Sequence, residues 1–136
     1  MRVVLDTNIL VSALIVPHGT PDLLYQAWRA GRFVLVTSEE QLDEFRRVTR
    51  YPKIRSYIQP ALAGTMYNEI RQLAVVIDKL PQIDILRDPA DNFLLAMALA
   101  EKAHYLVSGD KRDVLKLRRY GPTKIISVKQ FTKFLS

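Results

Sequence analysis

Short apolar, largely β-branched runs recur along this 136-residue chain at residues 2–5, 33–36, 74–77, 105–107 and 124–128, with stretches of helical character between them. Strands that are apolar throughout, rather than alternating, belong to a parallel sheet buried on both faces, because each parallel connection needs a crossover helix that comes to lie on the sheet. The expected fold class is therefore α/β: a three-layer α/β/α arrangement with a mostly parallel five-stranded sheet. Residues 1–136 read as a single domain, since no repeat, low-complexity tract or long linker divides them.

Helix punctuation supports the same alternation. Thr20 followed by Pro21 reads as an N-cap and a first-turn proline, opening a helix whose Leu23, Leu24, Ala27 and Trp28 share a face until Gly31. Ser38 with Gln41 three residues on resembles a capping box, opening a helix that buries Leu42, Phe45 and Val48 and ends at Pro52. Residues 53–73 are helical in pattern but broken by Pro60, which predicts two helices or a kink. Asp88 before Pro89 predicts another N-cap, and the segment 93–103 is apolar on nearly every side, as a buried helix is. Residues 114–117 and 128–135 read as two closing helices.

Composition removes several chemistries. There is no Cys, so a disulfide framework, a thiolate metal site and a Cys nucleophile are excluded. No apolar run approaches the ~20 residues of a membrane span, and Asp6 interrupts the first apolar stretch too early for a secretory signal; the expectation is a soluble, cytoplasmic domain with no membrane partner. Twenty basic residues against fourteen acidic ones give +6. The excess is clustered: Arg46, Arg47, Arg50, Lys53 and Arg55 fall in a stretch with no acid between Glu44 and Glu69, and residues 111–136 hold eight Lys or Arg against Asp113 alone. Such clustering is the footprint of a protein that meets a polyanion, although a merely solvated surface has the same look.

The acids fall elsewhere. Open parallel sheets bind ligands beyond the carboxyl ends of their strands. Asp6 ends the first strand, Asp110 follows the fourth, Asp91 lies in the first turn of the helix feeding the fourth, and Glu44 sits one to two turns into the helix after the second. Four converging carboxylates repel one another by roughly several kcal/mol in a partly buried cleft, which a divalent cation relieves. Oxygen-only ligation suits Mg²⁺ or Mn²⁺, whereas Zn²⁺ is disfavoured because Cys is absent and His18 and His104 lack ligand spacing. Each acid also has a structural reading: Asp6, Asp88, Asp91, Asp110 and Asp113 as helix-start residues, Glu44 as a surface residue. Glu40 or Asp43 compete with Glu44, and Asp88 with Asp91, for the same assignments. Joint placement at the ends of neighbouring strands favours chemistry over separate caps.

Asp6-Thr7-Asn8 after a strand, Glu44 in the Ser38-led helix, Asp88-Pro89-Ala90-Asp91 before an apolar helix, and Ser108-Gly109-Asp110 after the fourth strand together resemble the PIN-domain ribonucleases. The likeness runs from residue 3 to about 128 and is greatest to the VapC-like toxin components of toxin–antitoxin pairs. It implies a metal-dependent endoribonuclease acting on single-stranded RNA, with Asp6, Glu44, Asp91 and Asp110 holding Mg²⁺ or Mn²⁺. Asn8, Ser12, Ser108, Asp88 and Asp113 would support those acids. The implied reaction is in-line attack by an activated water, needing no protein nucleophile and leaving a 5′ phosphate. Arg46, Arg47, Arg50, Lys53, Lys111 and Arg112 would grip RNA phosphates. An antitoxin segment near the active site and a homodimer using the apolar face of residues 53–73 are the further partners it implies. Among rivals, a haloacid-dehalogenase-type phosphatase needs a carboxylate where Asn8 stands, and a dinucleotide enzyme needs a glycine motif that follows no strand here. A catalytically silent RNA-binding or partner-binding domain on the same scaffold is the alternative, distinguished by having no divalent requirement.

Overall fold

β1 (Arg2–Leu5) lies at the centre of the sheet, paired in parallel with β2 (Val34–Ser38) on one side and β4 (Tyr105–Ser108) on the other. In this computed structural model, which describes residues 1–109 and 113–136, β3 (Val75–Ile77) continues the sheet beyond β2, and β6 (Thr123–Ser127) continues it beyond β4, again in parallel. β5 (Arg119–Tyr120) closes the far edge antiparallel to β6, giving the order β3-β2-β1-β4-β6-β5. The sequence pattern predicts five strands and the described residues form six. The extra strand is two residues long, too short to leave a periodic signal, and a turn with Gly121 at φ 56° returns it to β6.

Alternate strand residues feed two separate cores. Val3, Leu5, Leu35 and Val107 point to one face, where they meet α1 (Thr7–Ile15), α2 (Thr20–Arg29), α3 (Glu39–Thr49), α5 (Pro60–Leu73) and α8 (Val128–Leu135). Val4, Val36, Leu106 and Ile125 point to the other, against α6 (Pro89–Ala100) and α7 (Asp113–Leu117). The expected three-layer α/β/α fold with a mostly parallel sheet is thus what forms. Phe131 of α8 is fully buried between Phe33, with ring centroids 5.3 Å apart, and Tyr105 at 5.9 Å. No helix among the described residues is long and apolar enough to cross a membrane.

Helix ends follow the punctuation with two corrections. Asp88 caps α6 by accepting from the Ala90 N–H at 2.9 Å, and Pro60 separates the short α4 (Pro52–Arg55) from α5, both as predicted. Thr20, however, does not cap α2; Gly19 occupies that position without a side-chain bond, and Thr20 and Pro21 are already in the first turn. A β-carbon on Gly19 would lie 3.0 Å from Val16 Cγ1 and 3.2 Å from the Val16 carbonyl oxygen, so the tight bend before α2 crowds any side chain at the cap. At α3, Ser38 accepts from the Gln41 N–H at 3.1 Å, but the Gln41 side chain turns into the core instead of closing a capping box. The reciprocal box is found at Ser127 and Gln130, opening α8.

Polar ties fix α5 and the long connection before α6. Arg71 of α5 grips Glu39 of α3 through two bonds of 2.9 and 2.8 Å, which hold the Glu39 carboxyl below its ordinary range. Glu69 of α5 accepts from the Tyr25 phenol and pairs with Arg29 at 2.7 Å; burial and that carboxylate keep the phenol protonated well beyond its usual pKa. Residues 78–88 form neither helix nor strand. Asn92, buried in the first turn of α6, holds them by accepting from the Ile85 and Leu86 N–H groups at 3.1 and 2.9 Å and donating to the Leu86 carbonyl at 2.7 Å.

Replacing Phe131 with Ala empties a site walled by two rings and is expected to destabilise the chain by about 3–5 kcal/mol in urea unfolding. A loss below about 1 kcal/mol would mean that the site collapses around the smaller side chain. Asn92→Ala strips two N–H groups and a carbonyl of their partner, with an expected cost of about 1–3 kcal/mol. Limited proteolysis should then cut within residues 78–88 at protease levels that spare the wild type. Asn92→Asp, which still accepts from both N–H groups, should protect the segment better than Ala.

Candidate active site

The strand order reverses at β1: the chain steps outward to β2 and β3, then returns to β4 on the opposite side. Beyond the carboxyl ends of β1 and β4 lies the switch-point crevice where open α/β sheets bind ligands. The register that sets Leu5 against Val107 carries Asp6 and Ser108 to the same place. Asp6 is 3% exposed, and its carboxylate accepts from the Asn8 N–H at 3.1 Å through Oδ1 and from the Ser108 hydroxyl at 3.2 Å through Oδ2. One side chain therefore caps α1 and crosses to β4, so its structural and chemical readings coexist. A cleft of about 430 Å³ opens here, lined by Asp6, Asn8, Ser12 and Gly109 among others. Asn8 is exposed at its mouth and Ser12, one turn further along α1, is half-buried.

Asp91 is 4% exposed in the first turn of α6, the helix that runs back to the start of β4, so it stands at this same edge of the sheet. Asp88 beside it is exposed and serves as the cap. Glu44 is half-buried on α3, while Asp43 is exposed; Glu40 is exposed too and lines another cleft, of about 670 Å³, between α6 and residues 80–87. Asp113, half-buried at the start of α7, pairs with Lys116 at 3.5 Å and Arg87 at 3.9 Å. Asp110, Lys111 and Arg112 lie outside the described residues.

The structure thus brings Asp6, Asn8 and Ser12 to one cleft, with Ser108 buried against Asp6, and places Asp91 at the same edge of the sheet. Among the described residues, no three acidic or His side chains are grouped closely enough to hold one ion together. The donor chemistry at the edge nonetheless fits a hard divalent cation, since the polar side chains there, Asp6, Asn8 and Ser12, are oxygen donors or an amide. The two histidines are elsewhere: His18 is in the turn before α2, and His104 accepts from the Arg2 N–H at 3.0 Å at the opposite end of the sheet.

Of the predicted RNA contacts, Arg46, Arg47, Arg50 and Lys53 are all exposed, on α3 and α4. Arg46 and Arg50 line a cleft with α5, and Arg46 lies over the Tyr67 ring at 4.6 Å. Two residues important to the site have no counterpart among the predicted ones. Gln41 is fully buried; it donates to the Leu5 carbonyl at 2.7 Å and to Thr7 Oγ1 at 3.3 Å, and receives the Thr37 hydroxyl at 2.6 Å. It fastens α3 to the end of β1, one residue before Asp6. Asn92 does comparable work next to Asp91. A polar residue standing between a cap and an otherwise apolar helix face is the sequence signal both share.

The chain resembles an uncharacterized protein, MJ1680, of Methanocaldococcus jannaschii, at 28% identity over 149 residues, covering 100% of this chain and 95% of that one. No solved structure matches it significantly. The family model for the PIN domain matches residues 2–112, a span that runs from β1 past the end of β4 and takes in Asp6, Glu44, Asp91 and Ser108. On that match the chain belongs to the PIN-domain family.

Proposed function

We propose that this chain is a divalent-metal-dependent endoribonuclease that hydrolyses phosphodiester bonds in single-stranded RNA, and the toxin of a toxin–antitoxin pair. PIN domains are generally nucleases and typically use divalent metal ions, and the resemblance to VapC-like toxins supplies the narrower role. The observation that carries the reading is the buried Asp6 carboxylate, oriented by Asn8 and Ser108 in a cleft at the topological switch point. On this reading the protein acts in the cytoplasm, with single-stranded RNA, an antitoxin and a second copy of the chain as partners.

Asp6, Asp91 and Asp110 would hold Mg²⁺ or Mn²⁺, and Glu44 would hold a second ion or position the attacking water. When bound, the metal supplies Lewis acidity toward the phosphoryl oxygens and lowers the pKa of water. Ser108 and the Asn8 N–H fix the plane of the Asp6 carboxylate before substrate arrives. Ser12 and the exposed Asn8 amide offer hydrogen-bonding groups to a strand entering the cleft. Asp88 and Asp113 would act only through the helix starts that they occupy. The cations of α3 and α4, with Lys111 and Arg112, would hold phosphates on either side. The second reading is a silent RNA-binding or partner-binding domain on the same scaffold, which would bind RNA with no divalent requirement.

Cleavage of an unstructured RNA with Mg²⁺ or Mn²⁺ against EDTA decides between them. Asp6→Asn keeps the cap, because Asn caps as well as Asp. It should remain folded by circular dichroism while losing more than about a hundredfold in cleavage. Ser108→Ala, which removes only the orienting bond, should lose about 10–100-fold. Metal-dependent cleavage that persists in Asp6→Asn would remove Asp6 from the mechanism, and RNA binding without any metal-dependent cleavage would leave the silent domain standing.

A further inference from the structure

A separate cleft, of about 360 Å³, lies between α3, α4 and α5, away from the acid edge. Arg46, Arg50 and Arg55 supply its charge, while Pro60, Ala63 and Gly64 form an apolar wall. No acid occurs between Glu44 and Glu69, and none of the three guanidiniums makes an ion pair among the described residues. Arg46 is held in place by its stacking on Tyr67, whose hydroxyl accepts from Arg71 at 3.1 Å. The Asn68 amide lies beside them. At Gly64 a β-carbon would meet nothing within 4 Å, so the wall is open to an approaching flat group.

We propose that this cleft binds one phosphate-bearing nucleotide of a single-stranded RNA, at a site separate from the acid edge. Three guanidiniums around one concavity match the several oxygens of a phosphate better than the single fork that a carboxylate takes. The apolar wall opposite suits a sugar or base, and the volume lies within the ~300–1,000 Å³ of small-ligand sites. Stacking on Tyr67 holds the Arg46 guanidinium ready, which lowers the ordering cost of binding. Arg50, the C-cap of α3, follows Glu44 by six residues, or about 9 Å of helix rise, so a strand at the acid edge would reach the cleft with a nucleotide beyond the scissile one. RNA as ligand rests on the functional reading above; the cleft does not depend on cleavage.

The test is fluorescence anisotropy of a labelled, unstructured RNA on the full chain in EDTA, comparing wild type with Gly64→Leu and Arg55→Ala. Leucine is the better helix former, so Gly64→Leu fills the cleft without weakening α5, as circular dichroism will verify. Each variant should weaken RNA binding about tenfold. Arg55→Ala alone should also flatten the dependence of log affinity on log salt, by about 0.7 for each phosphate no longer neutralised. With both variants weakened, displacement of the RNA by adenosine 5′-monophosphate assigns the site to a terminal nucleotide, and no displacement assigns it to an internal phosphodiester. Binding within about twofold of wild type for both variants, with the same salt slope, overturns the proposal. If polyglutamate binds the wild type and loses affinity in the variants while RNA does not, an acidic protein partner replaces the nucleotide. Metal-dependent cleavage that Asp6→Asn abolishes, together with unaltered RNA binding in Gly64→Leu, sinks the cleft alone; weakened binding with no cleavage under any metal sinks the nuclease alone.

Discussion

Parallel pairing of β1 between β2 and β4 is the constraint from which the molecule follows. A parallel strand cannot return through a hairpin, so each neighbour of β1 is reached by way of helices, and those helices must cover a sheet that is apolar on both sides. The consequence is two cores, one under α1, α2, α3, α5 and α8 and one under α6 and α7. It is also why the Asp6 carboxylate stands at a strand end, where backbone leaves the sheet.

At that boundary the carboxylate of Asp6 does two jobs that need not conflict. Capping α1 requires an oxygen near the first free N–H groups, and orienting a buried acid requires donors of that kind. The Ser108 hydroxyl adds a link between strands that are neighbours in space but 102 positions apart in the chain.

Much of this was legible from residue order alone, because apolar runs, prolines and caps are local signals. Asp88, Pro60 and the apolar segment after Asp91 each announce their element within a few residues. The features that escape are those decided by tertiary contact. Gln41 has the right spacing for a capping box, and only the approach of Leu5 and Thr7 shows why its amide turns inward. Asn92 resembles an ordinary first-turn residue until residues 85 and 86 come to lie against it. Thr20 loses the cap position to the bend at Gly19, and β5 exists only because β6 is there to pair with it. Topology alone puts Asp6 and Asp91 at the sheet edge, but whether side chains from three different elements meet depends on angles that no spacing encodes. The basic cleft was visible as a charge cluster, whereas its wall comes from α5, a separate helix beyond the break at Pro60.

Gln41 gives α3 a rigidity with its own consequence. The amide grips the last carbonyl of β1, so α3 is pinned to the sheet at the end that faces Asp6, and Arg71 holds the same end to α5 through Glu39. Helix residues carry the rest of the distance to Arg50. The span from acid edge to basic cleft is thus set by a strut instead of a hinge, and α3 works as a gauge. A ligand touching both ends would have to match a length that thermal motion of loops does not alter.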